Sequence, residues 1–313
     1  IDNTYFLDKI VEHADDYMKC VEPNYREYIN PTLSRRMSRV IKMGVVAAKI
    51  CLKDASVNIP GAIITGTGLG CIEDTEKFLS SMIENDERLL TPTSFIHSTH
   101  NSISAQIALL LKCNNYNTTY VHRGFSFESA LQDCMLLLKE NEADTVLTGG
   151  IDEITPGSFK ITKRLGSWKN KAINNLDLLK NESKGTIAGE GAAYFLLTNK
   201  IDALNYARIR SVSMIYKPEN NSVTEIQISE FLKDAGIDID DIDLVVCGIN
   251  GDLTSDHIYY NLLERFFANS NCAYYKHLCG EYHTSSAFGL WLAANIIKRQ
   301  TVPDIIKLGQ FTL

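Results

Sequence analysis

Apolar positions along the chain follow two rhythms. Over residues 36–55 they recur at helical spacing, with small Ala and Gly on one face, which predicts a strong helix. The same spacing predicts helices over residues 72–82, 102–111, 128–139 and 287–298. Short apolar runs at 62–65, 145–147 and 244–247, each running into glycine, predict buried strands. Residues 1–30 are polar with a helical pattern, and Asn30-Pro31-Thr32 breaks it. Buried strands alternating with helices imply an α/β protein whose sheet is largely covered.

The pattern also repeats. Leu52-Lys53-Asp54-Ala55 precedes a strand and Gly66-Thr67-Gly68, while Leu232-Lys233-Asp234-Ala235 precedes a strand and Gly248-Ile249-Asn250-Gly251. His100-Asn101-Ser102 opens one helix and His283-Thr284-Ser285 opens another. Order and spacing of all three pairs predict two similar α/β halves packed as one unit, with function at their junction. The halves are placed at residues 1–200 and 201–313.

Composition narrows the class. With 313 residues, 45% apolar and 22% charged, the chain is neither disordered nor fibrous. A net charge of -7 argues against a broad nucleic-acid surface. The longest apolar stretch, residues 287–297, is too short to span a bilayer. Eight cysteines without a CxxC pair read as reduced core thiols, hence a cytoplasmic protein. Cys272, Cys279 and His283 match no familiar zinc spacing, so no metal and no cofactor is expected. The first residues carry no signal-peptide core and no starting Met, which suggests that upstream residues are absent.

Three candidate motifs have competing readings. Gly66-x-Gly68-x-Gly70 lacks the third glycine of a dinucleotide fingerprint, since Cys71 occupies that place; a tight strand-to-helix turn is the simpler reading. Ser126, in Gly124-Phe125-Ser126-Phe127-Glu128, sits where a nucleophile elbow would fall, but Glu128 replaces the second glycine, and a helix cap is the simpler reading of the serine. His100 and His283, at echoed positions, would approach one junction as bases or as ordinary hydrogen-bonding residues.

Several segments together resemble the β-ketoacyl synthase (condensing enzyme) family. Gly185-Thr186-Ile187-Ala188-Gly189-Glu190-Gly191-Ala192 resembles its G-x-x-x-G-E-G-A turn, and Asp144 through Gly149-Gly150-x-Asp152-Glu153 its A-G-G-x-E/D strand end. Pro92-Thr93 with Asn101-x-x-x-Ala105-x-Ile107-Ala108 resembles the segment before the nucleophile, and Lys276-x-x-x-Gly280 resembles K-x-x-x-G-H. The resemblance implies a thiolase-like fold, two pseudo-duplicated halves layered α-β-α-β-α. It also implies condensation of an acyl group with an extender on acyl carrier protein, through a Cys thiolate and two His.

This chain departs at all three positions. The Cys place falls on Gly124, give or take one residue; Asn250 stands for the first His, and Glu281 for the second. Glycine forms no thioester, and Glu281 would repel an enolate. The resemblance therefore points to a catalytically silent, chain-length-factor-like subunit of the aryl-polyene or flexirubin type. It would partner an active ketosynthase, or itself, in fatty-acid, aryl-polyene or polyketide chain elongation. Phe125, Ser126, Phe127, His100, His283 and Lys276 would line the pocket. The alternative is an active acyltransferase or hydrolase using Ser126 with His100 or His283. Arg35, Arg36, Arg39 and Lys42 would face either an acidic carrier protein or solvent. The chain begins past the family's first strand, and its end, 306–311, lacks the G-F-G-G loop.

Overall fold

The computed structural model describes residues 6–7, 10–88, 90–181 and 183–309. Residues 1–5 and 8–9 of the expected N-terminal helical pattern, and residues 310–311 of the closing segment, lie outside these. Residues 10–30 do not form the expected helix. They pass through β1 (Tyr17–Met18) and one turn of 3-10 helix, Tyr25–Glu27, and are otherwise irregular. The Asn-Pro-Thr break is itself a helix start: the Asn30 side chain accepts from the Thr32 amide at 2.9 Å and opens α1 (Pro31–Ser34).

The first sheet is built around β2 (Ala62–Gly66), which lies parallel to β3 (Tyr116–Tyr120) and to β4 (Thr145–Asp152). β1 pairs with the short β5 (Ala188–Gly189), and β6 (Gly191–Thr198) runs antiparallel along β4, giving the order β3-β2-β4-β6. Every residue of β2 is buried, because helices cover both faces. Alternation along the strands sorts the side chains. Ile63, Leu147 and Ile151 join Tyr194 beneath α2 (Arg39–Asp54). Ala62, Ile64 and Val146 face Ala130, Cys134 and Leu138 on the other side.

Between β2 and β3 come α3 (Ile72–Glu84), α4 (Pro92–His97) and α5 (Ser102–Leu111), the last packed on α2. α6 (Ser126–Lys139) follows β3, and α7 (Pro156–Arg164) follows β4. The chain then passes through α8 (Asn221–Ala235), β7 (Leu244–Cys247), α9 (His257–Arg265), β8 (Asn271–Tyr274), α10 (Lys276–Cys279), α11 (Ser286–Arg299) and β9 (Lys307–Leu308). β7 and β8 are parallel, and β9 closes that sheet antiparallel. α11 lies between the sheets: Ala287 packs with Phe127 and Leu131, while Leu292 and Ile296 pack with Ala273. α8 and α9 pack on each other and complete the α-β-α-β-α order.

The sequence echo is a geometric one. Both Leu-Lys-Asp-Ala segments end a helix in the same Schellman turn. Val57 donates to Leu52 O at 2.9 Å and Ile237 to Leu232 O at 3.0 Å, with Ser56 (φ 55°) and Gly236 (φ 66°) left-handed. Each turn then feeds the first parallel strand of its sheet. Arg39 is half-buried and paired. Its guanidinium grips both oxygens of buried Glu190 at 2.7 and 2.6 Å and also pairs with Glu22. Glu190 additionally accepts from the amides of Cys20 and Ile154, so the G-E-G-A glutamate is a structural hub. Among the described residues no helix is long and apolar enough to cross a membrane.

Candidate functional site

The loop after β7 presents Asn250, and its backbone is fixed on every side. Asp256 accepts from the amides of Asn250 (3.1 Å) and Gly251 (2.6 Å), Thr186 Oγ1 donates to Asn250 O at 2.6 Å, and Lys169 donates to Gly251 O at 2.9 Å. Burial holds the Asp256 carboxyl above its ordinary range despite those amides. Burial likewise lowers the Lys169 ammonium. On the facing segment, Gly280 takes φ 71° and packs so closely on Gly189 that a Cβ there would lie 2.7 Å from the Gly189 Cα. That turn sets Glu281 alongside Ala188, with its amide donating to Ile187 O at 2.8 Å.

Asn250 and Glu281 therefore meet: Asn250 Nδ2 donates to Glu281 Oε2 at 2.9 Å. Lys276 Nζ donates to Glu281 Oε1 at 2.6 Å and to Ser285 Oγ, and Ser285 Oγ donates to the same Glu281 oxygen at 3.2 Å. The Lys276 side chain is 7% exposed and that of Glu281 27%, so the carboxylate sits at the open side of the network. Ser285 carries no motif in the sequence; only its echo with Ser102 flags it.

The strand-to-helix turn after β3 is a 3-10 turn, Arg123–Phe125, leading into α6. Its left-handed residue is Arg123 (φ 50°), not Gly124, whose missing Cβ would meet nothing within 4 Å. Ser126 is fully buried; its hydroxyl donates to Arg123 O at 2.7 Å and accepts from the His122 amide at 2.8 Å. The hydroxyl proton and one of its two acceptor sites are engaged within the turn. Phe127 is a core side chain, tilted against Phe195 with ring centroids 5.8 Å apart. Phe125 is half-buried between His122 and Tyr216, with ring centroids at 5.8 and 6.0 Å. Glu128 turns inward: burial raises its carboxyl, Ser286 and Lys276 pull it the other way, and Oε2 has no hydrogen-bond partner among the described residues.

His100 and His283 both lie against the glycine turn. A Cβ on Gly68 would fall 2.4 Å from the His283 ring, and one on Gly70 would fall 3.0 Å from His100. Both histidines are exposed, and neither is hydrogen-bonded to Ser126, whose two bonds are local. The turn packs backbone to backbone, since a Cβ on Gly66 would lie 2.6 Å from Ser126 O. Beneath it, Asp152 at the end of β4 joins the halves. Its Oδ1 accepts from the Gly68 amide at 2.7 Å, and its Oδ2 accepts from Thr284 N and Oγ1 at 2.9 and 2.8 Å. A separate cleft of about 530 Å³, lined by Lys19, Arg39, Glu73, Glu76 and Glu153, opens beside α3.

With this junction described, its relatives identify the class. Residues 12–203 match the model of the β-ketoacyl synthase N-terminal domain, and the chain belongs to that family. It is 22% identical over 202 residues to 3-oxoacyl-[acyl-carrier-protein] synthase 2 of Staphylococcus aureus (strain N315), covering 61% of this chain and 47% of that protein. The chain thus spans about half the length of the curated relatives it matches.

Among solved structures, the ishigamide ketosynthase/chain length factor is similar, with TM-score 0.73 and 19% identity, covering 91% of this chain and 75% of that one. A beta-ketoacyl synthase from Burkholderia phymatum STM815 gives TM-score 0.68 and 17% identity, covering 90% and 73%. The fold is the thiolase-like ketosynthase fold.

Proposed function

We propose that this chain is a ketosynthase-like subunit without condensing chemistry of its own. It pairs with an active ketosynthase, or with a second copy, in fatty-acid, aryl-polyene or polyketide-type elongation on acyl carrier protein. One observation carries the reading: Asn250 and Glu281, which the sequence resemblance aligns with the family's two histidines, are bonded to each other at 2.9 Å. The elbow that would bear the nucleophile has Arg123 at its left-handed position, beside Gly124, and no thiol. Glu281 already neutralises Lys276, so it offers a growing enolate no positive charge.

The pairing half of the reading draws on the free edge of β3. Among the described residues that strand is bonded only to β2, and Leu109, Tyr116, Val121 and Leu136 beside it are 70%, 46%, 42% and 50% exposed. The ketosynthase/chain length factor likeness points the same way. Eight free thiols favour a reducing, cytoplasmic setting. Catalysis by Ser126 is disfavoured, because its hydroxyl is buried and doubly bonded. Co-expression with an active ketosynthase of the same source tests the pairing. A stable complex lost on Tyr116→Lys supports it, and this chain eluting as a monomer beside that ketosynthase opposes it.

A further inference from the structure

We infer that the groove beside the Schellman turn of α8 is a docking surface for a basic amphipathic helix of a partner protein. Its apolar floor is Leu232, Ile237, Ile239 and Phe266, and its volume is about 450 Å³. The two Leu-Lys-Asp-Ala turns provide an internal comparison. In the first half, Leu52 belongs to the main core cluster and Val57 packs against it. In the second half, Leu232 and Ile237 hold the matching positions. Among the described residues they join none of the apolar clusters, and neither do Ile239 and Phe266. The same backbone turn is therefore covered in one half and open in the other. A Cβ on Gly236, at its left-handed position, would meet nothing within 4 Å. An open apolar floor of this kind is what a partner's side chains fill.

Charge selects the occupant. Asp234, Asp238, Asp240, Asp241 and Asp243 fall on the segment that runs through the groove. Among the described residues none of the five forms an ion pair. Asp238 Oδ1 accepts from the Asp240 amide at 3.2 Å, which caps the short 3-10 turn and leaves its charge uncompensated. Lys233 is the one cation lining the groove among the described residues, and nearby Arg265 is turned to Glu225 at 3.7 Å. A second copy of this chain, with net charge -7, would be repelled, and so would an anionic lipid surface. On α8, exposed Ile226 and Ser229 continue the line of Lys233, so the face runs about two helical turns, ~10 Å. Over that length a partner helix presents apolar residues at i, i+3 or i+4 and i+7, with lysines and arginines flanking them. The groove belongs to the second half, and the inference does not depend on pairing through β3.

The probe is a labelled peptide of about 14 leucines and lysines with leucine at helical spacing, titrated with the full chain at low salt by fluorescence anisotropy. The controls are a peptide of the same composition in strict alternation and a helical leucine–glutamate peptide. The helical leucine–lysine peptide is expected to bind, and both controls to bind about tenfold more weakly or not at all. Asp238→Asn, which keeps the cap, and Asp241→Asn should each weaken binding about twofold to fivefold, and Lys233→Glu should tighten it by a similar factor. Ile237→Ser should weaken it about tenfold, and the three charge variants carry the test where that variant fails to fold. Equal binding of the alternating peptide, or an affinity unchanged in all three charge variants, overturns the inference. Self-association of wild type that Ile237→Ser abolishes would assign the groove to a second copy and overturn it too.

Discussion

Asp152 offers the sharpest test of how the two halves are joined. It is 4% exposed, and its carboxylate accepts from Gly68 N (2.7 Å) and Thr67 Oγ1 (3.3 Å) in one half. In the other half it accepts from Thr284 N (2.9 Å) and Oγ1 (2.8 Å). Asp152→Ala leaves two backbone amides and two hydroxyls without their acceptor. Each orphaned buried donor costs about 1–3 kcal/mol. Against this, the alanine no longer buries a carboxylate, whose carboxyl burial has raised although His283 and the Thr284 and Gly68 donors pull it down. The balance is a loss of about 2–4 kcal/mol, at the high end for a single substitution.

The assay is urea unfolding at neutral pH, reading the midpoint at constant slope. Thr284→Val in the same cycle isolates the link between halves: coupling above about 1 kcal/mol is expected, whereas independent sites add to within ~0.5 kcal/mol. A loss below about 1 kcal/mol for Asp152→Ala, or additivity in the cycle, would refute the clamp.

Two further outcomes follow from buried groups. Burial pushes the Glu153 carboxyl up to about 7, whereas in the unfolded chain it ionises near ~4.3. Between those values the folded state holds a proton the unfolded state has lost, so stability falls as pH rises through the window and levels off above it. Glu153→Gln should therefore exceed wild type in urea midpoint at about pH 8 and match it near pH 4, whereas parallel profiles would contradict the burial. Gly68→Ala would set a Cβ 2.4 Å from the His283 ring, and should lose about 1–3 kcal/mol in thermal unfolding. Restoration by His283→Ala in the same background would identify that contact as the cause.

The long helices and the buried strands were legible because their periodicity is a local consequence of burial. The 36–55 pattern became α2 from Arg39, and the Leu-Lys-Asp-Ala echo became two identical Schellman turns. The glycine turn was legible as close packing, and Gly66, Gly68 and Gly70 all carry neighbours that a Cβ would strike. What escaped is three-dimensional. Glycine is the natural bearer of a positive φ, so Gly124 drew attention while Arg123 takes that conformation. The bond of Ser285 to Lys276 and the hold of Arg39 on Glu190, 151 residues away, leave no mark in spacing. The polar run 10–30 mimicked a helix, yet its backbone is spent on β5 and on Glu190.

The central claim is that this family member lacks condensing activity and acts through a partner. The most direct measurement is a condensation assay with acyl- and malonyl-carrier protein, on this chain alone, an active ketosynthase of the same source alone, and the two together. The account predicts product from the pair and none from this chain alone, with Ser126→Ala leaving the pair's turnover unchanged. Turnover by this chain alone, abolished by Ser126→Ala, would contradict it.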